Sequence, residues 1–199
     1  MAGPSRAAAL AYSLVNVMAF LLVAGILVGV VGLVHGLASG GSVPVHAELL
    51  DTDVGWLPAD VTVRNNPEVA LEVKDASAKQ LLLAAARGVL PALLLAFGIW
   101  FLRGLAGSLR RGDPFGPANV RRLRRIGFLL VVGAPVAAVV DWSLRLALVD
   151  TLPHDAFGGL SFQGFSFPFV ALVAGLGAFI LAEVFAHGVS LREDVEATI

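Results

Sequence analysis

Long apolar runs flank the stretch Arg103–Gly127 on both sides, and this stretch holds seven of the chain's 14 Lys and Arg, with Asp113 as its one acid. No other feature constrains the fold as strongly. Arg and Lys beside a membrane span stay on the cytoplasmic side, so a basic loop between two membrane-length segments sets the direction in which every other segment crosses. Composition agrees: 57% of residues are hydrophobic and only 15% charged, with a mean hydropathy of +0.84, whereas a soluble domain carries roughly 25% charged residues. A charge at the bilayer centre costs several kcal/mol, which is why lipid-facing helices exclude it.

Four spans are expected, at about residues 10–37, 80–102, 126–149 and 168–187. The fold class is mainly α: one four-helix transmembrane domain over residues 1–199, an antiparallel bundle with a small extracytoplasmic β-hairpin or three-strand insert between helices 1 and 2. Four spans place both termini in the cytoplasm. The first run, Ala7–Leu37, also invites comparison with a signal peptide, and Leu37-Ala38-Ser39 would suit a peptidase. The run is about twice the length of a signal core, however, and reads as an uncleaved span. Gly25, Gly29, Gly32 and Gly36 put a small-residue stripe on one face of it, a seam inside the monomer or, alternatively, between two copies in a homodimer. Asn16, near its cytoplasmic end, would be satisfied by water or by the Arg loop.

Residues 39–79 are polar, with seven acids against Arg64, Lys74 and Lys79, as suits an outer insert. Val61–Arg64 and Val69–Lys74 alternate around Asn65-Asn66-Pro67-Glu68, which predicts a β-hairpin. Val43–Glu48 adds a third strand, confined to an edge by Pro44. Asp51-Thr-Asp53 starts like a calcium loop but lacks the Gly and Glu that should follow. In the second span, Arg87 lies two turns from the outer end and Pro91 predicts a bend. Trp100 and Arg103 mark the cytoplasmic interface.

Within residues 103–125, Asp113-Pro114 reads as a helix cap with Pro at the first position; alternatively Asn119 caps a helix that starts at Val120. Arg121, Arg122, Arg124 and Arg125 then lie at the membrane surface, facing anionic lipid. Direct nucleic-acid binding is excluded by a loop so short and tethered at both ends. In the third span Asp141 and Arg145 share a face, and Asp141 lies roughly 22 Å from the cytoplasmic end, at a depth Arg87 also reaches. An intramembrane cluster Arg87–Asp141–Arg145 is expected, either as a functional site or as a structural ion pair. The loop Thr151–Ser166 carries Phe157, Phe162 and Phe165 at interface depth, or acts as a substrate gate. In the fourth span Ala171, Gly175, Ala178, Ala182 and Ala186 form a second small-residue stripe that would meet the glycine face of the first. Glu183 and His187 have metal-ligand spacing, but a Glu183–Arg contact is the expected fate. The tail, residues 188–199, is cytoplasmic.

The chain has no cysteine, which excludes disulfides and thiolate metal sites. It shows no nucleophile–base pairing and no phosphate loop, and its histidines, His35, His46, His154 and His187, are scattered. The expectation is therefore a protein without catalytic residues, cofactor or metal. Abundant arginine, alanine and glycine suggest a GC-rich bacterial genome, hence the bacterial cytoplasmic membrane.

Two stretches carry a family likeness. Gly112-Asp-Pro-Phe115 precedes Asn119-Val-Arg-Arg-Leu-Arg-Arg-Ile-Gly127, and Leu181-Ala-Glu-Val-Phe185 precedes Gly188 and Leu191-Arg-Glu-Asp194, ending Glu-Ala-Thr-Ile199. Together with length, span number and motif order they resemble the bacterial membrane family called domain of unknown function 2975. Members are often encoded beside small helix-turn-helix regulators, so the resemblance implies such a regulator as a cytoplasmic partner. Its contact residues, or those for lipid, would be Asp113, Phe115, Asn119, Arg121, Arg122, Arg124, Arg125, Glu183, Arg192, Glu193 and Asp194. The alternative is a component of a small-solute transporter or exporter that uses Arg87, Asp141 and Arg145.

Overall fold

A computed structural model describes residues 6–49, 68–113, 115–152, 160–161 and 164–196. Helix α1 (Arg6–Ser39) leads into strands β1 (Gly41–Leu49) and β2 (Glu68–Ala76), then helix α2 (Ala78–Arg110). Helix α3 (Pro117–Phe128) continues through a π-helical turn, Leu129–Gly133, into α4 (Ala134–Val149); β3 (Leu160–Ser161) and α5 (Phe169–Glu196) follow. Among the described residues four helical stretches are long and apolar enough to cross a membrane: α1, α2, α3 through α4, and α5 as far as Ser190. Their outward side chains are large and apolar, with Phe20 72% and Val170 84% exposed. Apolar exposure on this scale belongs to a surface that does not face water.

The helices overrun the expected spans. α2 continues past Leu102 to Arg110, so the first third of the basic stretch is helix, not loop. It also runs unbroken through Pro91. The π turn has a local cause. Pro135 cannot donate to the carbonyl four residues back, and the chain widens instead, with Ala134 N–H reaching Leu129 O.

The chain forms two compact units. One comprises Val28–Val89 and Ala138–Ser166. Here α1 ends at Gly40, whose φ of 76° takes the left-handed conformation of a helix stop. The next residue, Gly41, sits so close to the helix that a Cβ on it would lie 3.0 Å from Gly36 Cα. The sheet order is β2-β1-β3, antiparallel throughout. In the backbone register Val43 pairs with Val73, Val45 with Leu71 and Ala47 with Val69. Val43 and Val45 are fully buried in a core with Ala76, Leu81, Leu148 and Leu152; burying each valine contributes about 1.5–3 kcal/mol. Ser77 and Gln80 form a reciprocal cap on α2: Ser77 N–H donates to Gln80 Oε1 at 2.8 Å and Gln80 N–H to Ser77 Oγ at 3.4 Å. Gln80 Nε2 also donates to Thr151 Oγ1 at 3.0 Å, tying α2 to the end of α4.

The sheet contains one arm of the expected hairpin and the expected further strand; the other arm lies outside the described residues. β2 is where alternation placed it, but its described partner is β1, and the third strand comes from the loop after α4. Pro44 is tolerated because β3 covers only Glu48 and Leu49, which leaves no described strand beside Pro44 on that side. Val61–Arg64, Asn65–Pro67, Asp51–Asp53, His154, Phe157 and Phe162 lie outside the described residues.

The other unit comprises Met1–Leu27, Leu90–Ala137 and Phe167–Ile199. The small-residue stripe of α5 is buried, Ala182 completely and Ala178 nearly so. Its neighbour within the unit is α3 with the π turn. Gly127 and Gly175 meet backbone to backbone: a Cβ on Gly127 would lie 3.1 Å from Gly175 O, and one on Gly175 3.0 Å from Gly127 O. A Cβ on Gly25, Gly29 or Gly32 meets no atom within 4 Å; Gly36, against Leu81, is the member of that stripe that is packed. Asn16 donates to Tyr12 O of its own helix at 2.8 Å, so its amide does not depend on the Arg turn.

Candidate functional site

The basic stretch is a helix–turn–helix corner built around a buried asparagine. α2 stops in a Schellman arrangement, with Gly112 at φ 77°, Gly112 N–H on Leu109 O at 3.1 Å and Asp113 N–H on Ser108 O at 3.1 Å. α3 starts at Pro117 with Gly116 as its cap residue and no side-chain cap. Neither Asp113 nor Asn119 is therefore the helix cap expected from sequence. Asn119 instead stands in the first turn and reaches back across the corner. Its Nδ2 donates to Ser108 Oγ at 2.5 Å and to Asp113 O at 3.3 Å, and its Oδ1 accepts from the Arg122 guanidinium at 2.8 Å. Ser108 Oγ donates onward to Leu105 O at 2.6 Å. Asn119 is 2% and Ser108 4% exposed. Buried polar groups this well partnered hold one geometry, because any other would leave them unsatisfied. Asn119→Ala is expected to cost about 2 kcal/mol, from three lost bonds, among them the one that holds the Arg122 guanidinium, read as a drop in thermal stability of the detergent-solubilised protein.

The corner aims the arginines. Arg122 lies across α2 at Gly104, where a Cβ would fall 2.5 Å from its Nε; only glycine leaves that path open. Arg103 and Arg110 stand over the Tyr12 ring at 6.0 and 4.6 Å, and Arg125 over Phe101 at 5.8 Å. Arg121 is exposed. Arg103, Arg111, Arg122 and Arg125 line one open cleft of about 450 Å³ together with Tyr12, Trp100, Phe101 and two glycines.

The corner is also docked on α5. Arg124 pairs with Glu183 at 3.3 Å, the expected Glu183–Arg contact. The Phe115 ring packs on Phe185 at 5.1 Å, and a Cβ on Gly188 would meet it at 3.2 Å. His187 Nδ1 lies 3.0 Å from Glu183 O and 3.9 Å from its carboxylate. No group of three His, Asp or Glu side chains gathers as metal ligands among the described residues. Arg192, Glu193 and Asp194 lie on the last turns of α5, and their side chains fall outside the described set.

The second candidate lies in the other unit. Arg87 Nε donates to Asp141 Oδ1 at 2.8 Å and its NH2 to Oδ2 at 3.3 Å, a bidentate pair that satisfies both carboxylate oxygens. The described bond of Arg145 goes elsewhere, to Gly164 O at 3.4 Å. Beside it Trp142 meets Phe165 edge to face at 5.9 Å.

A family model described as a protein of unknown function, DUF2975, matches residues 58–199. The chain belongs to the DUF2975 family. The DUF2975 segment takes in the Asn119 corner, the Phe115–Phe185 contact and the Arg87–Asp141 pair, while α1 and β1 precede it. No curated protein and no solved structure matches the chain. Sequence reasoning missed Gly104, Ser108 and Tyr12. The spacing of Gly104 and Ser108, four apart on α2, is the small-residue signal that could have found the first two.

Proposed function

We propose that this DUF2975 protein is a multi-pass component of the bacterial cytoplasmic membrane and the membrane partner or signalling component of a small helix-turn-helix regulator. In this reading the four apolar helices form a bundle, both termini and the basic corner face the cytoplasm, and the strands face outward. One observation carries it. The two stretches with the family likeness are distant in sequence, yet Phe115 seats on Phe185 and Gly188, and Arg124 reaches Glu183. They form one continuous surface, which a protein partner would touch as a unit. A transporter role for Arg87, Asp141 and Arg145 draws less support, because Arg87 already occupies both oxygens of Asp141 and leaves a neutral pair.

The test is a pull-down from native membranes with the full chain and with a version lacking Leu191–Ile199. Recovery of the adjacently encoded helix-turn-helix protein is expected with the full chain, and at least tenfold less with the truncated one. Equal recovery, or none with either, removes the tail-dependent partner and turns attention to solute binding at the Arg87–Asp141 pair.

A further inference from the structure

We propose that the arginine-lined cleft and the apolar groove beside it are one binding site for an anionic phospholipid, with the phosphodiester in the cleft and an acyl chain in the groove. The proposal rests on the reading that the helices span a bilayer and does not depend on the regulator. The groove, about 540 Å³, is formed by Phe97, Phe101, Phe128, Leu129 and Phe179, with Arg124 and Arg125 also in its wall. Phe101 and Arg125 belong to both cavities, and the cation stacks on the ring between them. A polar compartment thus opens beside an apolar one.

Charge chooses the headgroup. Among the described residues none of Arg103, Arg111, Arg122 and Arg125 forms an ion pair with an acid. Four guanidinium groups around one cleft repel one another at the edge of a low-dielectric medium, and an anion between them removes that repulsion. Guanidinium donors match phosphate oxygens two at a time. Arg122 is preset for the task, since Asn119 holds one of its nitrogens at 2.8 Å and Gly104 lets its side chain lie flat on α2. The groove argues for a lipid rather than a free ion. Inorganic phosphate would use the cleft and leave the groove empty, while a neutral lipid would use the groove and leave four cations uncompensated.

The experiment is native mass spectrometry of the purified full chain in detergent. Equimolar phosphatidylglycerol and phosphatidylcholine are added, and inorganic phosphate is tested as a competitor. Arg111 and Arg125 are exposed, so an Arg111→Gln, Arg125→Gln variant should fold; its melting temperature without added lipid is measured alongside. We expect selective retention of phosphatidylglycerol, weakened about thirtyfold in the variant, since each arginine near such a headgroup contributes about 1 kcal/mol. Equal retention of the two lipids overturns the proposal, as does complete displacement of phosphatidylglycerol by millimolar phosphate, which would make the cleft a free-anion site. Failure of the membrane reading is seen separately, as release of the protein from membranes by carbonate washing. Loss of lipid selectivity in carbonate-resistant protein overturns the lipid site alone.

Discussion

Gly175→Leu should be the most damaging single substitution in the chain. Its Cβ alone would fall 2.7 Å from Val131 Cγ2, 2.9 Å from Leu130 Cβ and 3.0 Å from Gly127 O. Two of these atoms, a Cβ and a backbone carbonyl oxygen, cannot swing aside as the end of a long side chain can. α5 must move away from α3 and the π turn, which uncovers Ala178 and Ala182 as well. Overpacking of this kind costs about 3 kcal/mol, and Gly175→Ala should cost roughly half as much. Gly177, two residues on, has open space where its Cβ would be, so Gly177→Leu is expected to change stability by less than about 0.5 kcal/mol. Denaturant titration in micelles, comparing the three variants, checks the assignment. Equal effects at positions 175 and 177 would mean that the close approach at Gly127 does not hold the unit together.

Asp141→Leu should come next. It leaves the Arg87 guanidinium, now bonded to both carboxylate oxygens at 2.8 and 3.3 Å, without a counter-charge on a helix that the proposed function places in the membrane. An unpaired arginine there costs about 2–3 kcal/mol. The double change Asp141→Leu, Arg87→Met should recover most of that loss, because a removed pair is far cheaper than a broken one. The measurement is melting temperature in detergent for the single and double variants. An unchanged single variant would show that the pair contributes nothing to the fold. A double variant as unstable as the single one would show that the charges act with further partners.

The elements most legible from sequence were those in which one residue class fills a long window. The four membrane-length helices follow from the length and apolarity of their runs, and α1 from Arg6 to Ser39 differs from expectation only at its ends. The Arg87–Asp141 pair was legible too, since span length and rise per residue place both groups at one depth. Alternation located β2 and β1 but not their pairing. Three alternating segments can pair in more than one way, and the deciding term is burial of Val43 and Val45 against Leu148 and Leu152, which no local pattern contains. The corner misled for a related reason. Asp113 and Asn119 both have cap chemistry, and the choice went to neither because burial against Ser108 satisfies Asn119 more fully than the cap position would.

The amino-acid sequence by itself determined that this is a chain of four membrane-length helices with a basic corner between the second and third, and a member of the DUF2975 family. Those properties reside in composition and order, and they survive any arrangement of the helices. Only the tertiary structure decided which glycines are close-packed, which strand lies beside which, and how Arg103, Arg111, Arg122 and Arg125 come to surround one cleft. The physical reason lies in the helices themselves. A span that is apolar on every face carries no mark distinguishing the side that meets another helix from the side that meets lipid, so that choice is made by shape, at Gly127 and Gly175, and by the few buried polar atoms that must find partners, at Ser108 and Asn119.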